Sequence, residues 1–220
     1  MRAETPYAVL FDWDGTLIDS GDLLLKCWHR VTTRVLGAPF PVTEEDRVRF
    51  LSMRGADSFP LLSDDPDVVR ALGDGFTDAY LELAPTEVRP QAGARALVDT
   101  LRAHGFTVAV VTSKTTKRSS CDLQVCGFQD CFDTVVTGDD VARGKPDPEG
   151  ILLALRAMGA SADRAVMVGD GPVDIRAGRA AGIRTLGISH GLHSAQELQD
   201  AHPDELVDSF AAVSELLLRA

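Results

Sequence analysis

The chain contains Phe11-Asp12-Trp13-Asp14-Gly15-Thr16-Leu17 directly after the apolar run Tyr7-Ala8-Val9-Leu10. The run predicts a buried β-strand, and the glycine predicts a turn just beyond it. Residues i and i+2 of a strand lie on one face, so we expect Asp12 and Asp14 to be directed at one small volume. Two unpaired carboxylates so close together are costly, and a divalent cation would relieve their repulsion. One acid is then available as a nucleophile and the other for proton transfer, which suits phosphoryl transfer.

Phosphoryl transfer also requires positive charge and hydrogen-bond donors around the transferred oxygens. A second apolar run, Phe106–Val111, ends in Thr112-Ser113-Lys114, which offers hydroxyl and main-chain N–H donors at a predicted strand end. Farther along, Gly144-Lys145-Pro146-Asp147-Pro148 presents one lysine on a loop stiffened by two prolines. These stretches therefore predict an oxyanion-binding site that includes Thr112, Ser113 and Lys145.

A third apolar run, Ala165–Val168, ends in Gly169-Asp170, and Asp174 follows four residues after Asp170. Pro172 suits the first position of a helix, which would place Asp174 in the first turn of that helix. An acid in this position is favoured by the helix dipole and would lie near Asp170. The sequence therefore predicts a second pair of acids, at the end of this strand.

Together, these four stretches resemble the haloacid dehalogenase superfamily of phosphohydrolases, and the resemblance covers nearly the whole chain. The phosphoglycolate-phosphatase-like branch is most similar, because its opening motif Asp-x-Asp-Gly-Thr-Leu-x-Asp-Ser matches Asp12 through Ser20. The resemblance implies that Asp12 forms an aspartyl-phosphate, and that Asp14 protonates the leaving oxygen and then activates water. It implies that Thr112 and Lys145 hold the phosphoryl oxygens, with Lys145 also steadying Asp12.

The same resemblance implies a magnesium ion as cofactor. Its ligands would be Asp12, the main-chain carbonyl of Asp14, and Asp170, with Asp174 supporting them. Trp13 stands where the family more often has a smaller residue or phenylalanine; its main-chain N–H stays available for phosphate, and its bulk is expected to narrow the site. Ser113 is expected to contribute to phosphate binding beside Thr112.

The periodicity of apolar residues predicts an α/β fold with a helical insert. Helices are predicted from about Ser20 to Val35, Glu44 to Leu51 and Asp67 to Leu83, before an alternation of helices and strands that begins at Pro90. Such alternation predicts a Rossmann-like parallel sheet with helices on both faces and ligands beyond the carboxyl ends of its strands. We expect residues 1–18 and 90–220 to form the catalytic core domain and residues 19–89 a helical cap domain.

A cap in this position would close over the site and exclude water. We expect hinges near residues 18–20 and 85–90, and substrate choice to depend on cap residues. Arg54 is the candidate for binding a carboxylate or a second phosphate of the substrate, because arginine makes bidentate contacts with such groups. A solvated surface arginine is the alternative interpretation.

Composition indicates a globular protein of 220 residues, of which 45% are hydrophobic, with a net charge of −11. The acidic balance and the lack of a basic stripe disfavour nucleic acid and anionic membranes as partners. Residues 1–6 lack a secretory signal pattern, so a cytoplasmic location is expected, with a small phosphorylated metabolite as partner and a monomer or homodimer as the assembly. The spacing of the four cysteines does not predict zinc binding.

Related functions remain alternatives. A dehalogenase would not need an acid at Asp14. A phosphonoacetaldehyde hydrolase would need a lysine in the cap to form a Schiff base, and Lys26 is the one lysine in the insert. A phosphotransferase or phosphomutase of the same superfamily, a receiver-like switch and a non-catalytic phosphate-binding relative stay open. The favoured function is a magnesium-dependent phosphatase of small metabolites such as phosphoglycolate, a sugar phosphate or pyrophosphate.

Overall fold

The structure is a computed structural model that describes residues 7–219, and a parallel β-sheet organises it. The bounds of the elements follow in chain order: β1 (Ala8–Phe11), β2 (Ile18–Asp19), α1 (Gly21–Leu36), α2 (Glu44–Ser52), α3 (Gly55–Ser58), α4 (Pro66–Glu87), β3 (Arg89–Pro90), α5 (Ala94–Ala103), β4 (Thr107–Val111), α6 (Thr116–Val125), β5 (Thr134–Val136), α7 (Glu149–Met158), β6 (Ala165–Gly169), α8 (Pro172–Ala180), β7 (Arg184–Ile188), α9 (Ala195–Asp200), β8 (Glu205–Val207) and α10 (Phe210–Leu218).

Six of the strands form one parallel sheet in the order β5-β4-β1-β6-β7-β8. The central strand β1 is buried along its whole length, as expected for a strand covered on both faces. In the register of the sheet, Leu10 lies opposite Ala109 of β4 and Met167 of β6. The carboxyl ends of β1, β4 and β6 therefore meet at one edge, and the segments that begin at Asp12, Thr112 and Asp170 leave the sheet side by side.

Helices cover both faces of this sheet. On one face α5 and α10 contribute Val98, Leu101 and Val213 to the larger hydrophobic cluster. On the other face Ile151 and Ala154 of α7 pack with buried residues of the strands in a second cluster. The α/β Rossmann-like fold predicted from the sequence is thus confirmed. Among residues 7–219, no helix combines the length and the apolar character that crossing a bilayer would require.

The four helices α1 to α4 lie between β2 and β3, and we call residues 20–88 the helical cap. Their core is aromatic: the ring of Trp28 contacts the rings of Phe50, Phe59 and Phe76 at centroid distances of 5.0–5.6 Å. β2 and β3 pair antiparallel at the base of the helical cap, with Ile18 opposite Pro90. The division of the chain into two domains at residues 19 and 89 stays a prediction.

Several short elements were not predicted from the sequence. They are the β2–β3 pair, the single helical turn α3, and the α9–β8 segment that adds the last strand to the sheet. These elements have between two and six residues, too few to show a periodicity. Helix α4 also continues past Pro85 to Glu87, where Val88 N still donates to Ala84 O.

Candidate active site

A tight turn follows β1 and carries the two aspartates that the sequence pattern placed on one face. β1 ends at Phe11, and the next residues form a tight turn in which Gly15 has φ +81°. A Cβ atom on Gly15 would lie 2.3 Å from Asp170 Oδ2, so glycine is required both by the backbone and by the close approach. The sequence pattern directed Asp12 and Asp14 at one small volume, and both residues line one cavity. Their carboxylates have different partners there: Lys145 contacts Asp12, whereas Ser20 and Lys114 contact Asp14.

The carboxylate of Asp12 contacts a buried lysine. Lys145 Nζ lies 2.5 Å from Asp12 Oδ1 and 2.6 Å from Asp174 Oδ1, and it also donates to Val111 O at 3.1 Å. Burial alone would lower the pKa of Lys145, but the two carboxylates raise it above its usual value. Lys145 is thus held as a cation between Asp12 and Asp174.

Asp170 lies at the end of β6 and is fixed through both of its oxygens. Thr16 Oγ1 donates to Oδ1 at 2.7 Å, and Leu192 N donates to Oδ2 at 2.7 Å. Burial, followed by the charge of Asp174, raises the pKa of the Asp170 carboxyl to about 6. The pKa of Asp12 is likewise raised well above its usual range, by burial first and then by Asp174, with Lys145 opposing the effect.

These aspartates form a group that fits a hard divalent cation. Asp12, Asp170 and Asp174 each offer a carboxylate oxygen, and the three oxygens lie within 4.8 Å of one another. Mg²⁺ prefers such oxygen ligands, and it would remove the mutual repulsion that raises the pKa values of Asp12 and Asp170. Asp174 uses both of its oxygens elsewhere, since Oδ1 accepts from Lys145 and Oδ2 from Gly171 N. This arrangement suits a supporting role for Asp174.

Asp14 is held by a different pair of donors. Ser20 Oγ and Lys114 Nζ lie 2.5 Å and 2.6 Å from its Oδ1 atom. Within residues 7–219, Oδ2 of Asp14 makes no hydrogen bond, and this oxygen is available on a side chain that lines the cavity. The carboxylate of Asp14 lies outside the three-carboxylate group, so a metal contact from this residue would come from its main chain, as the resemblance implied.

Lys114 links Asp14 to a buried network that the sequence did not predict. Its Nζ atom lies 2.5 Å from Asp122 Oδ2 and 2.6 Å from the hydroxyl of Tyr80, which itself donates to Asp122 at 2.8 Å. Burial raises the pKa of Asp122, and the charge of Lys114 opposes that effect. Tyr80 belongs to α4 of the helical cap, so this network joins the helical cap to the end of β4.

Trp13 does not narrow the site. Its indole is buried beside Phe128 and Phe132, with ring centroids 5.5 Å and 5.8 Å away, and Nε1 donates to Asp122 Oδ2 at 3.1 Å. The expectation about its bulk is therefore wrong, because the side chain is directed into the hydrophobic core. The main-chain N–H of Trp13 has no protein acceptor within residues 7–219.

The segment after β4 contributes the predicted polar groups. Thr112 is buried and Ser113 is half-buried, and both line the cavity that contains Asp12. The hydroxyl of Thr112 accepts from Lys114 N at 3.1 Å, which fixes the turn that leads into α6. In the part of the chain that the structure describes, Ser113 N donates to no protein acceptor.

Arg54 is the predicted site residue that the structure places elsewhere. All five of its N–H donors are used: two on Asp57, and the others on the carbonyls of Gly138, Val141 and Ala142. It does not line the cavity that contains Asp12. Arg54 therefore connects the helical cap to the loop after β5 instead of contacting a substrate.

Several polar groups of the site went unrecognised in the sequence: Thr16, Ser20, Tyr80, Lys114, Arg118, Asp122 and His193. A signal existed for three of them, because Lys114, just before α6, and Arg118 and Asp122, within it, recur at intervals of four residues. His193 contacts Ser52 of the helical cap, with Nε2 2.7 Å from Oγ, and nothing in the sequence indicated this contact.

Comparison with known proteins places this site in a family. The Haloacid dehalogenase-like hydrolase family matches residues 9–188 of the chain. Phosphoglycolate phosphatase of Psychrobacter arcticus is 31% identical over 220 residues, with 96% of each chain covered. Pyrophosphatase PpaX of Bacillus velezensis is 31% identical over 205 residues, with 93% of each chain covered. The fold is shared with a hydrolase from Pseudomonas syringae, at a TM-score of 0.85 and 24% identity over 97% of this chain and 98% of that one. The chain therefore belongs to the haloacid dehalogenase-like hydrolases.

Proposed function

We propose that this hydrolase is a magnesium-dependent phosphatase that cleaves small phosphorylated metabolites through an aspartyl-phosphate on Asp12. The observation that carries the proposal is the contact of Asp12 with Lys145 in a cavity that Asp14, Thr112 and Asp170 also line. The names of the relatives, a phosphoglycolate phosphatase and a pyrophosphatase, point to the same reaction class.

Asp12 is suited to attack phosphorus because one of its oxygens is held and the other is free. Lys145 fixes Oδ1, whereas Oδ2 makes no hydrogen bond to any group among residues 7–219. In the first step Oδ2 would form a bond to phosphorus as the bond from phosphorus to the leaving oxygen breaks. Lys145 and the free N–H groups of Trp13 and Ser113 would stabilise the charge that develops on the phosphoryl oxygens.

Asp14 is suited to move the proton. Ser20 and Lys114 hold its Oδ1 atom, which leaves Oδ2 to give a proton to the leaving oxygen and later to take one from water. That water would attack phosphorus, break the bond to Asp12 and release inorganic phosphate. The different partners of the two carboxylates support covalent attack by Asp12 and proton transfer by Asp14.

Asp12, Asp170 and the main-chain carbonyl of Asp14 would hold the magnesium ion, with Asp174 in support. When bound, the ion would neutralise negative charge on the carboxylates and on the phosphoryl group. Without it, the three carboxylates and Lys145 carry a net charge of −2, which opposes the approach of a phosphate dianion. This charge balance supports a divalent cation.

Phosphate release from a panel of small esters tests the proposal, with magnesium and with a chelator, for wild type, Asp12→Asn and the exposed control Asp64→Asn. We expect Asp12→Asn to lose at least about 10³-fold in kcat, because no other group of the site can take its place. Asp64→Asn should retain full activity, and chelation should abolish it in both active proteins. Acid-quenched wild type should carry a phosphoryl adduct on Asp12. Appreciable hydrolysis by Asp12→Asn would refute the covalent mechanism.

A further inference from the structure

Arg118, on the first turn of α6, is a buried cation whose guanidinium contacts no carboxylate directly. Its residue exposure is 7%, and its one hydrogen bond runs from Nε to Thr115 Oγ1 at 3.1 Å. Within residues 7–219 neither terminal nitrogen of the guanidinium lies within 4.0 Å of a carboxylate oxygen. Arginine keeps its charge in proteins. The charges of Asp14 and Asp122 offset it at longer range, but both carboxylates make their direct ion pairs with Lys114. The guanidinium therefore has donors for an anion that the protein itself does not supply.

Arg118 lines a small chamber beside the catalytic cavity. Asp14, Ser113 and Arg118 form its core side, and aromatic side chains of the helical cap, including Trp28 and Phe50, form the other side. Asp14 lines both the chamber and the cavity that contains Asp12. Because Asp14 would give its proton to the leaving oxygen, the leaving group of a bound substrate would lie in this chamber.

Charge balance in the chamber favours an anion. Lys114 is already paired with Asp14 and Asp122, at 2.6 Å and 2.5 Å. With Arg118 these groups sum to zero when Asp14 is ionised, and to +1 when Asp14 carries the proton that the first step requires. A negative group on the substrate would compensate that charge in a site with little water.

We propose that Arg118 binds an oxyanion on the leaving group, so that the preferred substrates are compact phosphate compounds whose leaving group carries a carboxylate or a second phosphate. The proposal rests on the phosphatase function above and names its substrate class. The chamber is small, with a volume of about 30 Å³, which favours a compact leaving group. The planar guanidinium makes bidentate contacts to such oxyanions.

The test compares three substrates: phosphoglycolate, pyrophosphate, and the phosphate ester of glycolamide, which has the shape of phosphoglycolate without its carboxylate charge. Wild type should prefer at least one charged substrate to the glycolamide ester by about 30-fold in kcat/KM, the size expected for a hydrogen-bonded charge pair. A preference for phosphoglycolate would identify the bound group as a carboxylate, and a preference for pyrophosphate would identify it as a phosphate.

The preference is expressed as the ratio of kcat/KM for the charged substrate to kcat/KM for the glycolamide ester. Arg118→Met should bring this ratio close to one, and Arg118→Lys should retain part of the preference. The ratio is measured within one protein, so a loss of folded material in a variant does not affect it. Arg49→Met is the matched control: Arg49 also lies over an aromatic ring of the helical cap, 5.5 Å from the centroid of Phe50, but outside the chamber. It should keep the wild-type ratio.

A ratio that survives in Arg118→Met would overturn the inference and leave Arg118 as a cation that stacks on Phe76 and Tyr80, at 5.0 Å and 5.6 Å. A wild-type ratio near one would also overturn it. If wild type hydrolyses p-nitrophenyl phosphate but shows no preference for charge, the phosphatase function stands and this inference fails. If no ester is hydrolysed at all, both fail.

Discussion

Replacing Asp170 by asparagine should make the metal-free protein more stable at neutral pH, although the residue lies at the centre of the site. In the absence of a cation, ionised Asp170 is buried beside Asp174, and these effects raise its pKa from 3.8 to about 6. A carboxyl group whose pKa is higher in the folded protein than in the unfolded chain contributes its full stability at pH values below the pKa of the unfolded chain. That contribution is lost as the pH rises to the pKa of the folded protein. For Asp170 the loss occurs between about pH 4 and pH 6.

The rise in pKa corresponds to a cost of about 3 kcal/mol for ionised Asp170 above pH 6. Asparagine removes that cost but loses an acceptor, since Thr16 Oγ1 and Leu192 N both donate to the carboxylate. One lost hydrogen bond costs about 1 kcal/mol. The variant should therefore be more stable by about 2 kcal/mol above pH 6, or roughly 4–8 °C in Tm for a chain of this length. Near pH 4 wild type should be the more stable protein.

Thermal unfolding followed by circular dichroism measures this difference, for both proteins at pH 4.5 and 7.5 in a chelator. Magnesium should then stabilise wild type at pH 7.5 and not the variant, because a ligand that binds the folded state raises its stability by mass action. Asp64→Asn, an exposed acid, should show no difference from wild type at either pH. A variant less stable than wild type at pH 7.5 in chelator, or a difference that does not change with pH, would refute the reasoning.

Two further substitutions test contacts of the turn and of the helical cap. Gly15→Ala should lower the free energy of unfolding, measured in urea, by about 3 kcal/mol or more, because the new Cβ would lie 2.3 Å from Asp170. The control Gly105→Ala should lower it by only about 1–2 kcal/mol, because Gly105 has the same left-handed φ but nothing within 4 Å of the new Cβ. Equal losses in the two variants would contradict this account. Arg54→Met should raise the KM for phosphoglycolate and for the glycolamide ester by the same factor, because its donors are used on Asp57 and on carbonyls of residues 138–142. If KM rose for phosphoglycolate and not for the glycolamide ester, Arg54 would instead bind the substrate carboxylate, as the sequence predicted.

The parallel sheet and the edge that carries the site could be predicted because their signals are local. Each central strand is a continuous apolar run, and Asp12, Thr112 and Asp170 each follow such a run directly. The carboxyl ends of parallel strands meet at one edge, so the order of the motifs along the chain was sufficient to bring these residues together.

The partners of Asp14 could not be predicted in the same way. Its carboxylate contacts Ser20, at the start of the helical cap, and Lys114, which follows β4. The network around Lys114 depends on Tyr80, which reaches Asp122 only because the helical cap packs against α6. Arg54 likewise contacts main-chain carbonyls that no side-chain pattern marks. These are tertiary contacts, and the sequence gives no local signal for them.

The pairing of β2 with β3 has an evolutionary consequence. The chain enters the helical cap through β2 and leaves it through β3, and these two strands are adjacent: Asp19 lies opposite Arg89, and Gln91 N donates to Leu17 O at 2.9 Å. An insertion whose two ends already meet can be lengthened, shortened or exchanged without changing the register of the sheet. Natural selection can then vary the segment that surrounds the leaving group while the residues around Asp12 stay fixed, so that new substrate preferences arise without rebuilding the chemistry.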